Sequence, residues 1–155
     1  MKSLPPQTEL TRQVLSRLDL SPGADRSVDM TVIDRSRGEW EENYFLCGKK
    51  SSFDSVVHFT AAALGAILRQ QRLTAEALDG LEVVSCDPEP WMTAYDRRLR
   101  PGSALCFPGA DVLGFDPPAE VHRLLWLEPK LSGTEECYAC EAAADFLLLY
   151  WHTSG

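Results

Sequence analysis

A chain of 155 residues, 45% of them hydrophobic and 25% charged, is long enough to bury one core and too apolar to stay disordered. Its formal net charge of −8 opposes binding to phosphate backbones. Five cysteines, an odd number in a chain of this size, argue against a disulfide framework and fit reduced thiols in the cytoplasm.

The length predicts a single domain over 1–155, with residues 1–7 flexible. The opening MKSLPPQTELTRQ has no apolar stretch of the kind a secretory signal needs. Residues 8–18 predict a helix, because Thr8 can cap it and Leu10, Val14, Leu15 and Leu18 recur on one face. Ser21-Pro22-Gly23 ends it. Residues 27–34 predict a strand, with Val28, Met30 and Val32 on one face. Residues 43–47 predict its hairpin partner, with RSRGE as the connecting turn.

Residues 54–71 predict the central helix, capped by Asp54 or Ser55 and carrying a broad apolar stripe. Gly65 inside it costs about 1 kcal/mol against alanine, which points to a close backbone contact there. Residues 74–79 form a short helical turn with Gly80 after it, and 81–86 (LEVVSC) a third strand. The segment 87–102 is irregular and holds three prolines, an exposed-looking Trp91 and the basic cluster Arg97, Arg98 and Arg100. Strands follow at 103–107, 111–115 and 120–128. Ser132 and Glu135 then have the spacing of a capping box, which predicts a terminal helix running to about residue 151. The longest strongly apolar run, 146–151, is far too short to span a bilayer, so no membrane partner is expected. Runs of strands interrupted by helices give an α+β class: a mainly antiparallel sheet of about five or six strands packed by an N-terminal, a central and a C-terminal helix.

The Cys137-x-x-Cys140 pair is the one motif that suggests chemistry. On a helix, three-residue spacing puts both thiols on one face, where they could share a metal or act as a redox pair. A structural zinc needs four ligands, however, and Cys47, Cys86 and Cys106 stand alone in strand-like contexts. Burial as small apolar residues against the sheet is the simpler account. His58, His122 and His152 are isolated and read as packed or solvated side chains. The sequence holds no nucleophile elbow, zinc-protease helix, phosphate loop or dinucleotide fingerprint. No catalytic residue, cofactor or metal is therefore assigned.

Charge is distributed unevenly. Residues 1–72 carry nine acids and ten bases, whereas 73–155 carry fourteen acids and five bases. Residues 73–96 contain six acids and no lysine or arginine. Such a field attracts a basic partner. Glu76, Asp79, Glu82, Asp87 and Glu89, with the aromatic anchors Trp91 and Tyr95, are the candidate partner-binding residues. Solubility alone would also explain the charge, and each aromatic could fold back on the core.

The run VHRLLWLEPKLSGTEECYACEAAADFLLLYW, preceded upstream by VDMTVID and NYFLCG, resembles the bacterial suppressor-of-fused-like domain. The resemblance covers residues 28–48 and 103–151 and transfers no functional residue. It implies an α+β fold and association with polymorphic toxin loci, as an immunity protein. Together with the acidic half, it leads to the expectation of a non-enzymatic, cytoplasmic protein that occludes the active site of a cognate toxin with a basic surface. A secretion chaperone for an effector is the alternative within the binding class. A small thiol- or metal-dependent enzyme using Cys137 and Cys140 is the alternative of another class.

Overall fold

The period-two pattern of residues 28–32 becomes an edge strand, β1 (Asp29–Arg37), paired antiparallel with β2 (Glu39–Lys49). The structure is a computed structural model that describes residues 8–24, 26–37, 39–91, 93, 120–126, 135–141 and 145–154. The hairpin register runs from Asp29 opposite Cys47 to Arg37 opposite Glu39. Pairing thus continues through residues expected to turn. The remaining strands are β3 (Leu81–Cys86), β4 (Glu120–Trp126), β5 (Glu135–Glu141) and β6 (Asp145–Ser154), in the spatial order β1-β2-β6-β5-β4-β3. Every neighbouring pair is antiparallel, so the molecule is α+β with a six-stranded sheet. The strands expected at 103–107 and 111–115, and the flexible start at 1–7, lie outside the described residues.

The expected C-terminal helix is instead the β5–β6 hairpin, a correction with a clear physical cause. β6 lies between β2 and β5, and its residues 146–151 are buried on both faces. A strand covered on both sides has no polar alternation to display. Its continuous apolar run cannot be told from a buried helix by periodicity. The aromatic and aliphatic content of FLLLYW suits the pleated surface. Of the presumed capping box, Ser132 lies outside the described residues and Glu135 opens β5.

One sheet face carries the helices. α1 (Glu9–Ser16) is capped by the Thr8 hydroxyl, and α2 (Val56–Gln71) by Ser55, which accepts from the His58 amide. α2 packs on a layer in which Leu124, Cys137, Tyr150 and Tyr44 stand in one cross-strand row, and Ala139, Leu148 and Leu46 in the next. Burying each large apolar side chain there contributes about 1.5–3 kcal/mol. At one end, Phe59 and Phe146 stack with centroids 5.8 Å apart, and Phe53 meets both rings edge-on. A Cβ on Gly48 would stand 2.5 Å from the Phe53 ring, so only glycine admits this cluster.

Gly65 plays the part its sequence position implied. A Cβ there would approach the Asp19 carbonyl oxygen to 3.2 Å, so the α1–β1 connection lies directly on α2. Arg69 donates to the carbonyls of Leu20 and Ser21 and fixes the same segment. α2 ends at Arg72, whose φ of 57° is left-handed, and the Leu73 amide closes on the Leu68 carbonyl at 2.8 Å. The opposite sheet face is buried as well, at Phe45, Tyr138, Cys140, Leu147 and Leu149. No helix among the described residues is long and apolar enough to cross a membrane.

Candidate functional site

β3 is an edge strand, and α1 lies along its open side. The Thr8 hydroxyl donates to the Val83 carbonyl at 2.8 Å, and the Val83 amide donates to Thr11 Oγ1 at 2.8 Å. The two hydroxyls are 2.6 Å apart, and the Thr11 amide also donates to Thr8 Oγ1. Because Thr8 gives its one proton to Val83, Thr11 must donate to Thr8. Three of these four bonds close a ring through Val83, and both of its polar groups are satisfied at an edge that would otherwise invite another strand.

The expected partner-binding acids gather around this edge. Glu76 lies on the 3-10 turn Ala75–Leu78 that leads into β3, and Asp79 follows it; both are exposed. Glu82 is half-buried on β3. Asp87 and Glu89 are exposed just beyond the strand, in a segment whose residues 88–91 are helical. Trp91 departs from expectation. It is 1% exposed, so it is a core side chain rather than a surface anchor. Tyr95, Arg97, Arg98 and Arg100 lie outside the described residues.

The strand register also changes the reading of the cysteines. On a strand, residues three apart point to opposite faces. Cys137 accordingly belongs to the core beneath α2, whereas Cys140 lies on the far face beside Val121 and Leu147. They cannot share a metal or form a redox pair. Burial pushes the Cys140 thiol well above the ordinary cysteine range. Cys86, Cys140 and Cys47 occupy one cross-strand row, but Val121 and Leu147 stand between them. Two strand spacings separate each successive pair, roughly 9–10 Å, beyond disulfide reach. Among the described residues no group of three or more histidine, cysteine or acidic side chains is placed to hold a metal ion.

A second polar constellation was not evident from sequence. His122 is fully buried on the helix face, and its Nε2 lies 2.9 Å from Glu120 Oε1. Its Nδ1 is buried without a hydrogen-bond partner among the described residues. Glu120 sits directly opposite Glu141, which pairs with Lys50 at 2.9 Å. Glu120 also borders a cleft of about 320 Å³. Leu10, Gln13, Ser16 and Arg17 of the α1 region form one wall, and Ser55, Val56 and Val57 at the start of α2 form the other. Arg17 is already engaged. It grips both oxygens of Asp54 at 2.9 and 2.8 Å, and that hydrogen bonding holds the Asp54 carboxyl below its usual range, with Ser55 adding to the effect. The sequence signal for this site was Glu120-x-His122, a spacing that puts both side chains on one face of a strand. His58 is joined to the same Asp54, its Nδ1 accepting from the Asp54 amide, and its ring lies edge-on to Phe53.

Comparison with family models, curated proteins and solved structures finds no match to this chain. Its function must therefore be argued from the geometry.

Proposed function

We propose that this chain is a non-enzymatic binding protein that engages a basic protein partner, acting as an immunity protein that covers the active site of a toxin in the cytoplasm of the producing cell. The observation that carries the reading is the acidic border of β3. Exposed Glu76, Asp79, Asp87 and Glu89 lie around one sheet edge, within residues 73–96, where the chain has no lysine or arginine. Such a surface steers a basic partner during encounter and acts on the association rate more than on the lifetime of the complex. Nucleases, whose substrate-binding surfaces are basic, are the toxin class that fits best. Cys47, Cys86, Cys137 and Cys140 are thiols rather than disulfides, in keeping with a reducing compartment.

The test is the salt dependence of association with a toxin domain captured from the native cell. The wild-type on-rate should fall steeply with ionic strength. A variant carrying Glu76→Gln, Asp79→Asn, Asp87→Asn and Glu89→Gln should associate about tenfold or more slowly at low salt with little change in off-rate. An on-rate indifferent to both salt and the four substitutions would remove the basis for the proposal. Capture of an unfolded secretion segment in place of a folded toxin domain would identify a chaperone.

A further inference from the structure

We propose that the cleft between α1 and the start of α2 seats the side chain of an arginine or lysine from the protein partner, with Glu120 as its counter-ion. The inference rests on the reading of a basic protein partner and deepens it. It comes from three features of the cleft.

The first is an electrostatic imbalance. Glu120 and Glu141 stand directly opposite each other on one sheet face, an arrangement that is destabilising for like charges. Glu141 has Lys50, whereas the partner of Glu120 among the described residues is His122. Asp87 follows Cys86, and Cys86 pairs with Val121, so Asp87 continues the chain past β3 at the level of Glu120. It adds negative charge at the same end of the sheet. Among the described residues of the cleft wall, the cation is Arg17, and its guanidinium is spent on both oxygens of Asp54. Among the described residues the carboxylates at this end, Glu120, Glu141, Asp87 and Asp54, outnumber the paired cations Lys50 and Arg17, an excess that favours a bound cation.

The second feature is preorganisation. His122 is fully buried, and its Nε2 holds one oxygen of a carboxylate that is itself half-exposed, with a side-chain exposure of 52%. Fixing the carboxylate before binding removes part of the ordering cost that a mobile surface glutamate would incur.

The third is shape. Leu10, Val56 and Val57 give the cleft an apolar lining, while Gln13 and Ser16 supply polar atoms. This combination suits a long aliphatic stem ending in a charged head. A volume of about 320 Å³ exceeds what one such side chain occupies and leaves room for water. A phosphate or carboxylate ligand would find Glu120 on the wall and Arg17 already neutralised.

Titration of the isotopically labelled full chain with N-acetyl-arginine methylamide, followed by amide NMR, tests the proposal. Saturable shifts are expected at Leu10, Ser16, Val56 and Val57. The citrulline analogue, equal in shape but uncharged, should bind at least tenfold more weakly. Glu120→Gln should abolish the arginine response. Ser16→Trp, at an exposed position, should block the cleft and do the same without removing the carboxylate. Thermal melts of both variants confirm that they are folded. Absence of shifts with arginine, equal binding of citrulline, or a response that survives both substitutions would each overturn the proposal. A variant carrying only Glu76→Gln and Asp79→Asn, which lie at the opposite end of β3 from Glu120, should bind the arginine probe as the wild type does. Failure of the cleft and failure of the wider binding role are thus read by separate measurements.

Discussion

At the residue scale, environment rather than residue type decides what each candidate side chain can do. Four described cysteines share a chemistry, but Cys47, Cys137 and Cys140 are at most 4% exposed, while Cys86 at the end of the edge strand is half-buried. Desolvation raises the Cys86 thiol, and neighbouring Asp87 adds to this while Arg123 opposes it. Access, more than thiolate fraction, then sets the order of reactivity. In the native protein at mildly alkaline pH, Cys86 should react with a disulfide reagent ahead of the other three, and Cys86→Ser should remove one equivalent from the fast phase. A fast phase that is unchanged by this substitution would contradict the exposure of Cys86. Trp91 teaches the same lesson in reverse. Its proline-rich, acidic neighbours suggest exposure, but the ring is buried, and nothing in the local sequence reports a packing partner distant in the chain.

At the scale of elements, the most consequential joint is between α1 and β3. Two threonines that cap a helix also complete the hydrogen bonding of a strand edge. Thr11→Val preserves the shape of the side chain and removes the acceptor for the Val83 amide. The substitution should cost about 1–3 kcal/mol, the penalty of an unpaired buried donor. Amide exchange provides the specific readout. Val83 should lose protection in the variant well beyond what the global stability change explains, and uniform loss across the sheet would argue against an edge-specific role. The sequence did reveal Thr8 as a cap, because a capping hydroxyl before an apolar periodic run is a local signal. Its second bond, to a residue 75 positions away, has no local signature.

At the scale of the whole molecule, charge connects stability with acidity. Arg17 ties the end of α1 to the start of α2 through Asp54, whose pKa is lowered chiefly by that bond. A carboxylate with a depressed folded-state pKa contributes stability that is fully present above its unfolded value and is lost as pH falls through its folded value. Glu9, lowered by Arg12, and Asp19, lowered by Ser21, act in the same sense. Denaturation midpoints should therefore stay level near neutrality and decline in acid below the ordinary carboxylate range. Arg17→Met should shrink that decline. The effect should also weaken with added salt, because Arg17 and Asp54 are 43% and 58% exposed. An acid limb of equal depth in the variant would assign the decline to other groups.

Sequence by itself determined the α+β class, both long helices, the β1–β2 hairpin, β3, β4 and the imbalance of charge between the two halves. Each of these is a local pattern: an amphipathic period, a cap, a turn residue, a run of acids. Tertiary structure alone decided the rest. It made the last 20 or so residues described a hairpin instead of a helix, because burial on both faces erases the alternation that would announce a strand. That single change sent Cys137 and Cys140 to opposite sides of the sheet. It also set Glu141 opposite Glu120, bringing together two carboxylates 21 positions apart, since only cross-strand register determines which distant charges become neighbours.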